Sequence, residues 1–208
     1  MAGLIVPIFP LPEITFFPHT ILPLHVFEPR YRAMVSDALA RGRRISVAHL
    51  KPGFEKDYAG KPPVHAVAGA GEIVNAERLA TGRYNIVLRG NMRIRIVREL
   101  PTDTLYRLVL AEKLEDTPPA GDVSALLARI RAACRKLLDA VGRPPDLLDG
   151  ALADDLEPTV IADRVASAVL PSATVRQQLL ETLSVGERLE RLAGAIEGLT
   201  GDLRGRRE

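Results

Sequence analysis

The 208-residue sequence has no tryptophan, a single cysteine and few aromatic residues, which make up 4% of it. One cysteine, Cys134, excludes an internal disulfide and a thiolate metal cluster and fits a reducing compartment, so a cytoplasmic protein is expected. It follows Ile130 by four residues in a helical pattern, the place of a packing residue. No uncharged apolar run reaches the roughly 18 residues that a membrane span needs, and no basic stretch leads into an apolar segment at the start, so neither a membrane partner nor a signal peptide is expected.

Signatures of chemistry are also missing. There is no glycine loop ending in Gly-Lys-Ser/Thr and no Gly-x-Ser-x-Gly elbow. Ala68-Gly69-Ala70-Gly71 follows an apolar run, but Val74 stands where a dinucleotide fingerprint needs its third glycine. His19, His25, His49 and His65 are scattered without His-x-x-x-His spacing. Asp154, Asp155 and Glu157 precede Pro158, where the dipole of a starting helix favours carboxylates. No catalytic residue, metal site or cofactor is expected. The net charge of +2 is too small to imply a polyanionic partner.

What is present divides into two regimes. Up to Pro118 the chain carries 16 Lys and Arg against 12 Asp and Glu, and beyond it 12 against 14. Strands come first and helices later, which argues for an α+β class. Pro7, Pro10, Pro12, Pro18 and Pro23 cut the opening into short apolar pieces, forbidding a helix and confining strands to short or edge segments. Pro29 instead opens a helix over 29–41, because Tyr31, Met34, Val35, Ala38 and Leu39 recur at helical spacing and Gly42 stands at the C-terminal cap. Strands are expected at 45–50, 64–74, 84–88, 92–98 and 105–114, around a loop at 51–63. Turns are read at Thr81–Gly82 and at Gly90–Asn91, the second making a hairpin with Met92, Ile94 and Ile96 on one face and Arg93 and Arg95 on the other. The sum is a small, partly closed barrel-like sheet with one inserted helix. Beyond a linker at 116–121, four amphipathic helices with short connections predict a bundle, with Asp122 and Ser172 as N-caps and a capping box at Ser184 and Glu187. The expected division is 1–118, 119–200 and a frayed tail at 201–208.

Arg89, Arg93, Arg95 and Arg98 are the most suggestive polar feature. Together on a hairpin face they would suit phosphates, although RNA-binding platforms add stacking aromatics and only Tyr84 lies near. A solvated strand face is the plainer reading.

Pro7-Ile8-Phe9-Pro10-Leu11, Phe17-Pro18, and the run from Leu22 through Phe27-Glu28-Pro29-Arg30-Tyr31 resemble the opening of the Lon protease N-terminal domain, a substrate-recognition domain. Gly82-Arg83-Tyr84 and Leu88-Arg89-Gly90 before Arg93-Ile94-Arg95-Ile96 resemble its hairpin. Ala162-Asp163-Arg164-Val165, Arg176-Gln177-Gln178-Leu179 and Glu187-Arg188-Leu189 resemble its helical part. Thr81 replaces the family's aspartate, Ile94 its phenylalanine, and the Phe-Gly after the first helix is missing. The resemblance covers about residues 5–198. It implies a PUA-like six-stranded barrel followed by a helical bundle, with Phe27, Glu28, Pro29, Arg30 and Tyr31 building the fold.

It also implies the capture of unfolded or tagged polypeptides. In full-length relatives the ATPase and the Ser-Lys peptidase follow this domain, and the chain ends before either, so a binding protein and not an enzyme is expected, working as adaptor or regulator of a separate ATP-dependent protease. Phe16, Phe17, Phe54 and Tyr58, from proline-rich loops, are the expected polypeptide contacts. RNA binding through the four arginines is the alternative.

Overall fold

The computed structural model describes residues 3–58 and 60–205. They fall into two compact units, Met1–Leu114 and Glu115–Glu208, so the boundary lies four residues before the one expected at Pro118. Among the described residues no helix is long and apolar enough to cross a membrane.

The first unit contains β1 (Leu4–Leu11), β2 (Ile21–Val26), α1 (Pro29–Ala40), β3 (Arg44–His49), β4 (Val67–Arg78), β5 (Tyr84–Leu100) and β6 (Arg107–Leu114), with a 3₁₀ turn at Phe54–Asp57. The strands pair in the order β2-β5-β4-β3-β1-β6, and β5 also pairs with β6. The ladder therefore returns on itself as a ring of five strands, with β2 attached outside the ring to the first half of β5. β1 is a full strand of the ring despite Pro7 and Pro10. Leu4 to Pro7 pair only with β6, Ile8 pairs with both neighbours, and Phe9 to Leu11 pair only with β3, so each proline has an open side on which its missing N–H breaks no ladder.

The expected hairpin turn at Gly90–Asn91 does not form. β5 runs unbroken for 17 residues, and a register shift against β4 leaves Asn91 without a ladder partner. One extra residue reverses the alternation of faces. Tyr84, Ile86 and Leu88 face the core beneath α1, whereas Ile94, with Met92 and Ile96 beside it, faces the interior of the ring. That interior is built from Val6, Ile8, Ala48, Ala68, Ala70, Ile94, Val109 and Ala111, half of them alanine, which lets five strands close around so narrow a space. The outer core joins Tyr31, Met34, Val35 and Ala38 of α1 to Phe9, Ile45, Val47 and Ile73 of the sheet.

α1 begins where proline is expected. Pro29 takes the first turn, and the carbonyl of Glu28 accepts the N–H groups of Tyr31 and Arg32. It ends at Gly42, whose φ of 101° needs no Cβ, and the following Arg43 donates its N–H back to the carbonyl of Ala38.

The second unit contains α2 (Ser124–Ala140), a 3₁₀ turn (Pro145–Ala151), α3 (Pro158–Val169), α4 (Ala173–Glu181) and α5 (Val185–Gly205). α5 continues into the segment expected to fray; residues 206–208 lie outside the described residues. The N-cap of α2 is Val123 and not the expected Asp122, which stands one residue before it and accepts the Ser124 N–H, whereas Ser172 caps α4 as expected, its hydroxyl accepting the Val175 N–H. Ile130, Leu137, Ile161, Val165, Leu189, Leu192 and Ile196 are buried in it. So is Arg188. Its guanidinium donates to Asp163 on α3, to Asp116, to the Thr159 hydroxyl and to the carbonyls of Thr182 and Leu183, which engages all five donors. A fully buried charge is tolerated only when paired and hydrogen-bonded in this way.

Candidate functional site

Two of the four expected polypeptide contacts are core residues. Phe16 and Phe17 are 2% and 0% exposed. The chain carrying them lies against two strand glycines, for a Cβ on Gly69 would stand 1.7 Å from the carbonyl oxygen of Phe16, and one on Gly90 2.1 Å from that of Phe17. The prolines around them mark a segment that lacks regular structure but is strapped tightly to the sheet, so these rings cannot meet a ligand.

Phe54 and Tyr58 are half-buried beside the 3₁₀ turn, their ring centroids 6.0 Å apart. Tyr58 is tied down from α1. Its hydroxyl donates to Glu28 Oε1 at 3.3 Å, Arg30 donates to its carbonyl at 3.2 Å, and the Arg30 guanidinium covers the rings of Tyr31 and Tyr58 at 4.7 and 5.5 Å. Arg30 also donates to Glu28 Oε2 at 3.0 Å. Glu28 and Arg30 thus pin the loop at Tyr58 to the start of the helix. Tyr31 is buried against Phe9, and that burial, with Arg30 opposing it, pushes its phenol up to about 12. Phe27 departs from its neighbours in the run, being 58% exposed.

The four arginines do not form one surface. Arg93 is 3% exposed, and the extra residue at Asn91 places Arg89 on the strand face opposite Arg93 and Arg95. A second shift between Ile96 and Arg98 returns Arg98 to the face of Arg95. The expected platform fails because it assumed unbroken alternation.

What the structure does present is the outer face of β2, β5 and β4. Along β2, Leu22, Leu24 and Val26 turn toward the core beneath α1, so Ile21, Pro23 and His25 face outward. Ile21 is 58% exposed, and the rings of His25 and Phe27 are stacked 6.3 Å apart. Opposite these on β5 stand Arg89, Val87 and Asn85, and beyond them on β4 come Asn75 and Glu77, with Val74 partly exposed at a register shift. His25 Nδ1 and Asn85 Oδ1 are 2.8 Å apart, and the Asn85 amide donates to Glu77 at 3.0 Å, a polar row across the three strands.

β2 is also an edge. The Thr20 carbonyl accepts the Gly90 N–H, so residues 22, 24 and 26 bond to β5 while the backbone groups of Ile21, Pro23 and His25 point the other way. Among the described residues no strand pairs with that side. Pro23 falls where its missing N–H costs no ladder bond and also interrupts the edge, a natural guard against indiscriminate pairing. The face offers an apolar strip of Ile21, Pro23 and Phe27 beside open backbone donors and acceptors, which is the chemistry that holds an extended peptide. The sequence signal for it was the alternation in Ile21–Val26, readable as an edge strand once Pro23 is noticed.

The sequence profile described as "ATP-dependent protease La (LON) substrate-binding domain" matches residues 5–197. Among relatives, Lon protease 2 of Bdellovibrio bacteriovorus is 32% identical over 189 residues, 88% of this chain and 23% of that protein. Lon protease of Desulfosudis oleivorans is 27% identical over 188 residues, 90% of this chain and 23% of that one. The chain thus spans about a quarter of the length of these relatives. Among solved structures, the N-terminal domain of Mycobacterium avium complex Lon protease superposes with a TM-score of 0.73 at 20% identity, covering 93% of this chain and 98% of that one. The Lon N-terminal domain protein from Xanthomonas campestris gives 0.67 at 22%, covering 92% and 98%. At those identities the structures establish the fold.

Proposed function

We propose, from the premise that the chain belongs to the ATP-dependent protease La (LON) substrate-binding domain family, that it is a non-catalytic module that captures exposed, extended polypeptide segments. The observation that carries this reading is the open edge of β2 with Ile21, Pro23 and Phe27 beside it. An extended segment laid along β2 would gain main-chain hydrogen bonds from the edge and bury its own apolar side chains on the strip, the pairing of affinity and loose specificity that a receptor for unfolded chains needs. Handing such segments to a separate ATP-dependent protease, as adaptor or regulator, is the role this capture would serve.

The test is fluorescence anisotropy of a labelled, permanently unfolded polypeptide titrated with the protein at low and at moderate salt. Saturable binding that survives the salt is expected, with a loss of about tenfold or more in Ile21→Asp and Phe27→Asp, the equivalent of 1.4 kcal/mol. Absence of binding at tens of micromolar would sink the reading. Binding that collapses steeply with salt would mark a charge-driven contact and count against the apolar strip of β2; the RNA alternative is tested by a separate titration with RNA, whose binding should weaken steeply with salt.

A further inference from the structure

A second feature of the first unit lies at the other end of α1. There a cavity of about 280 Å³ opens between β1, the end of α1, the start of β3 and β6. One wall is apolar, formed by Leu108 and by Ile5, which is 61% exposed although it lies within a strand of the ring. The other wall carries Arg41 and Arg44. Among the described residues neither forms an ion pair, and the Nε of Arg44 is buried without a hydrogen-bond acceptor. Glu72, which stands across from Arg44 in the β3–β4 register, does not pair with it. The one carboxylate in the lining, Asp37, already accepts the Tyr106 hydroxyl at 2.7 Å. Burial, followed by the bond to Asp37, pushes the Tyr106 phenol up to about 12, so it keeps its proton and that bond.

Two guanidinium groups against one carboxylate that is already engaged by Tyr106, the pair facing a bare isoleucine, leave the cavity with an excess of positive charge. It is balanced by a group that brings a carboxylate and an apolar side chain a few bonds apart. The volume, just below the roughly 300–1,000 Å³ of typical ligand pockets, suits one residue and not a folded partner. No exposed aromatic offers a nucleobase a platform, since Tyr106 is buried. We propose that this cavity receives the free α-carboxylate end of a polypeptide whose last residue is apolar, the carboxylate on Arg41 and Arg44 and the side chain against Ile5 and Leu108. The proposal rests on the polypeptide reading above and adds to it a preference for chain ends.

Three versions of one short, apolar, N-terminally labelled peptide test it by anisotropy: a free acid ending in valine, its C-terminal amide, and an amide carrying an internal glutamate near the end. The free acid is expected to bind about tenfold tighter than the plain amide. Arg41→Gln/Arg44→Gln is expected to erase that difference while leaving the affinity for the amide unchanged. Arg41→Gln alone, at an exposed position, serves if the double variant unfolds. Equal binding of acid and amide to the unaltered protein would overturn the proposal and leave the polypeptide reading standing, whereas no binding of any version would overturn both. If the internal glutamate binds as tightly as the free acid, the site reads side-chain carboxylates and the chain-end assignment falls. Displacement of the free acid by single-stranded RNA, lost in the arginine variant, would also overturn it.

Discussion

All four tyrosines and all five phenylalanines lie in the unit Met1–Leu114; the unit Glu115–Glu208 has no aromatic residue and holds the one cysteine. The two units also reach a unique packing by different means. In the first, shape decides: alanines fill the ring, aromatic rings fill the space beneath α1, and glycines admit a strap of backbone. In the second, the largest fully buried side chain is an arginine, held by two carboxylates, a hydroxyl and two carbonyls. Aliphatic helices slide past one another at little cost, so directional bonds from Arg188 to Thr159 and Asp163 of α3 and to Asp116 set a register that leucines and valines alone would leave loose. The difference also gives each unit its own reporter, tyrosine absorbance for the first and the thiol of Cys134 for the second.

Cutting the charged centre should have the largest effect. Arg188→Met would leave Asp163, itself fully buried, without its cation, and a loss of about 3–5 kcal/mol is expected. Denaturant unfolding followed by helical circular dichroism measures it. Labelling of Cys134 gives a second readout, because burial pushes its thiol up to about 11 and keeps it inert in the native state. Full stability in Arg188→Met would show the network to be dispensable and erase the contrast between the units. Adding Asp163→Leu to Arg188→Met should recover part of the loss by removing the stranded charge.

The matching cut in the first unit is Gly69→Ala. A methyl group 1.7 Å from the Phe16 carbonyl must push the strap off the sheet, at about 2–3 kcal/mol by the measure of overpacked cores. Unfolding followed by tyrosine signals should move to lower denaturant while the reactivity of Cys134 in the native state stays as it was. A neutral Gly69→Ala would mean that the strap is loosely held and that Phe16 and Phe17 can leave the core.

A change of pH loads both units without mutation, the second through the buried Cys134 thiol, raised to about 11, and the first, at higher pH, through its tyrosines. Tyr31 and Tyr106 titrate near 12 in the folded chain against about 10 when unfolded. A raised value means that their contribution is complete below pH 10 and is lost as pH climbs toward 12, because the unfolded chain gives up those protons first. The first unit should weaken by about 1–2 kcal/mol over that range, the larger share from Tyr31, with solvent screening tempering Tyr106. Spectrophotometric titration of the tyrosines checks it, and a single transition near 10 for all four would contradict it.

Much of this architecture was legible beforehand, and the failures share a cause. α1 could be placed from Pro29, its heptad-like apolar spacing and Gly42, because local rules govern a helix end. The burial of Phe16 and Phe17 was not, since proline density reports the lack of regular structure and says nothing about depth. The usable signal lay elsewhere, in Gly69, Gly71 and Gly90, glycines inside strand-like runs that mark a close backbone approach. Gly90–Asn91 reads as a turn by composition, yet the pairing partners on both sides of β5 hold the strand straight and fold the surplus residue into a bulge, a tertiary decision no local window contains. The partnership of Arg188 with Asp163 spans 25 residues; only the motifs that carry them, Ala162-Asp163-Arg164 and Glu187-Arg188-Leu189, hinted that these positions matter.

The smallest effect on stability should come from the position most exposed to function. Phe27 belongs to the same signature run as Glu28, Arg30 and Tyr31, and resemblance alone would give all of them one structural role. Glu28 and Arg30 anchor a loop and Tyr31 is buried, whereas Phe27 keeps more than half of its surface in water and, among the described residues, stacks on His25 alone. Phe27→Ser is therefore expected to shift stability by no more than about 0.5 kcal/mol, while Tyr31→Ser, which empties part of the core beneath α1, should cost about 3 kcal/mol or more. If Phe27→Ser binds the unfolded polypeptide as well as the parent does, the outer face of β2 is not the contact surface. If it proves as destabilising as Tyr31→Ser, Phe27 is a fold-building residue after all. The expected pattern, intact folding with weakened capture, is one that only a side chain kept at the surface for a ligand can produce.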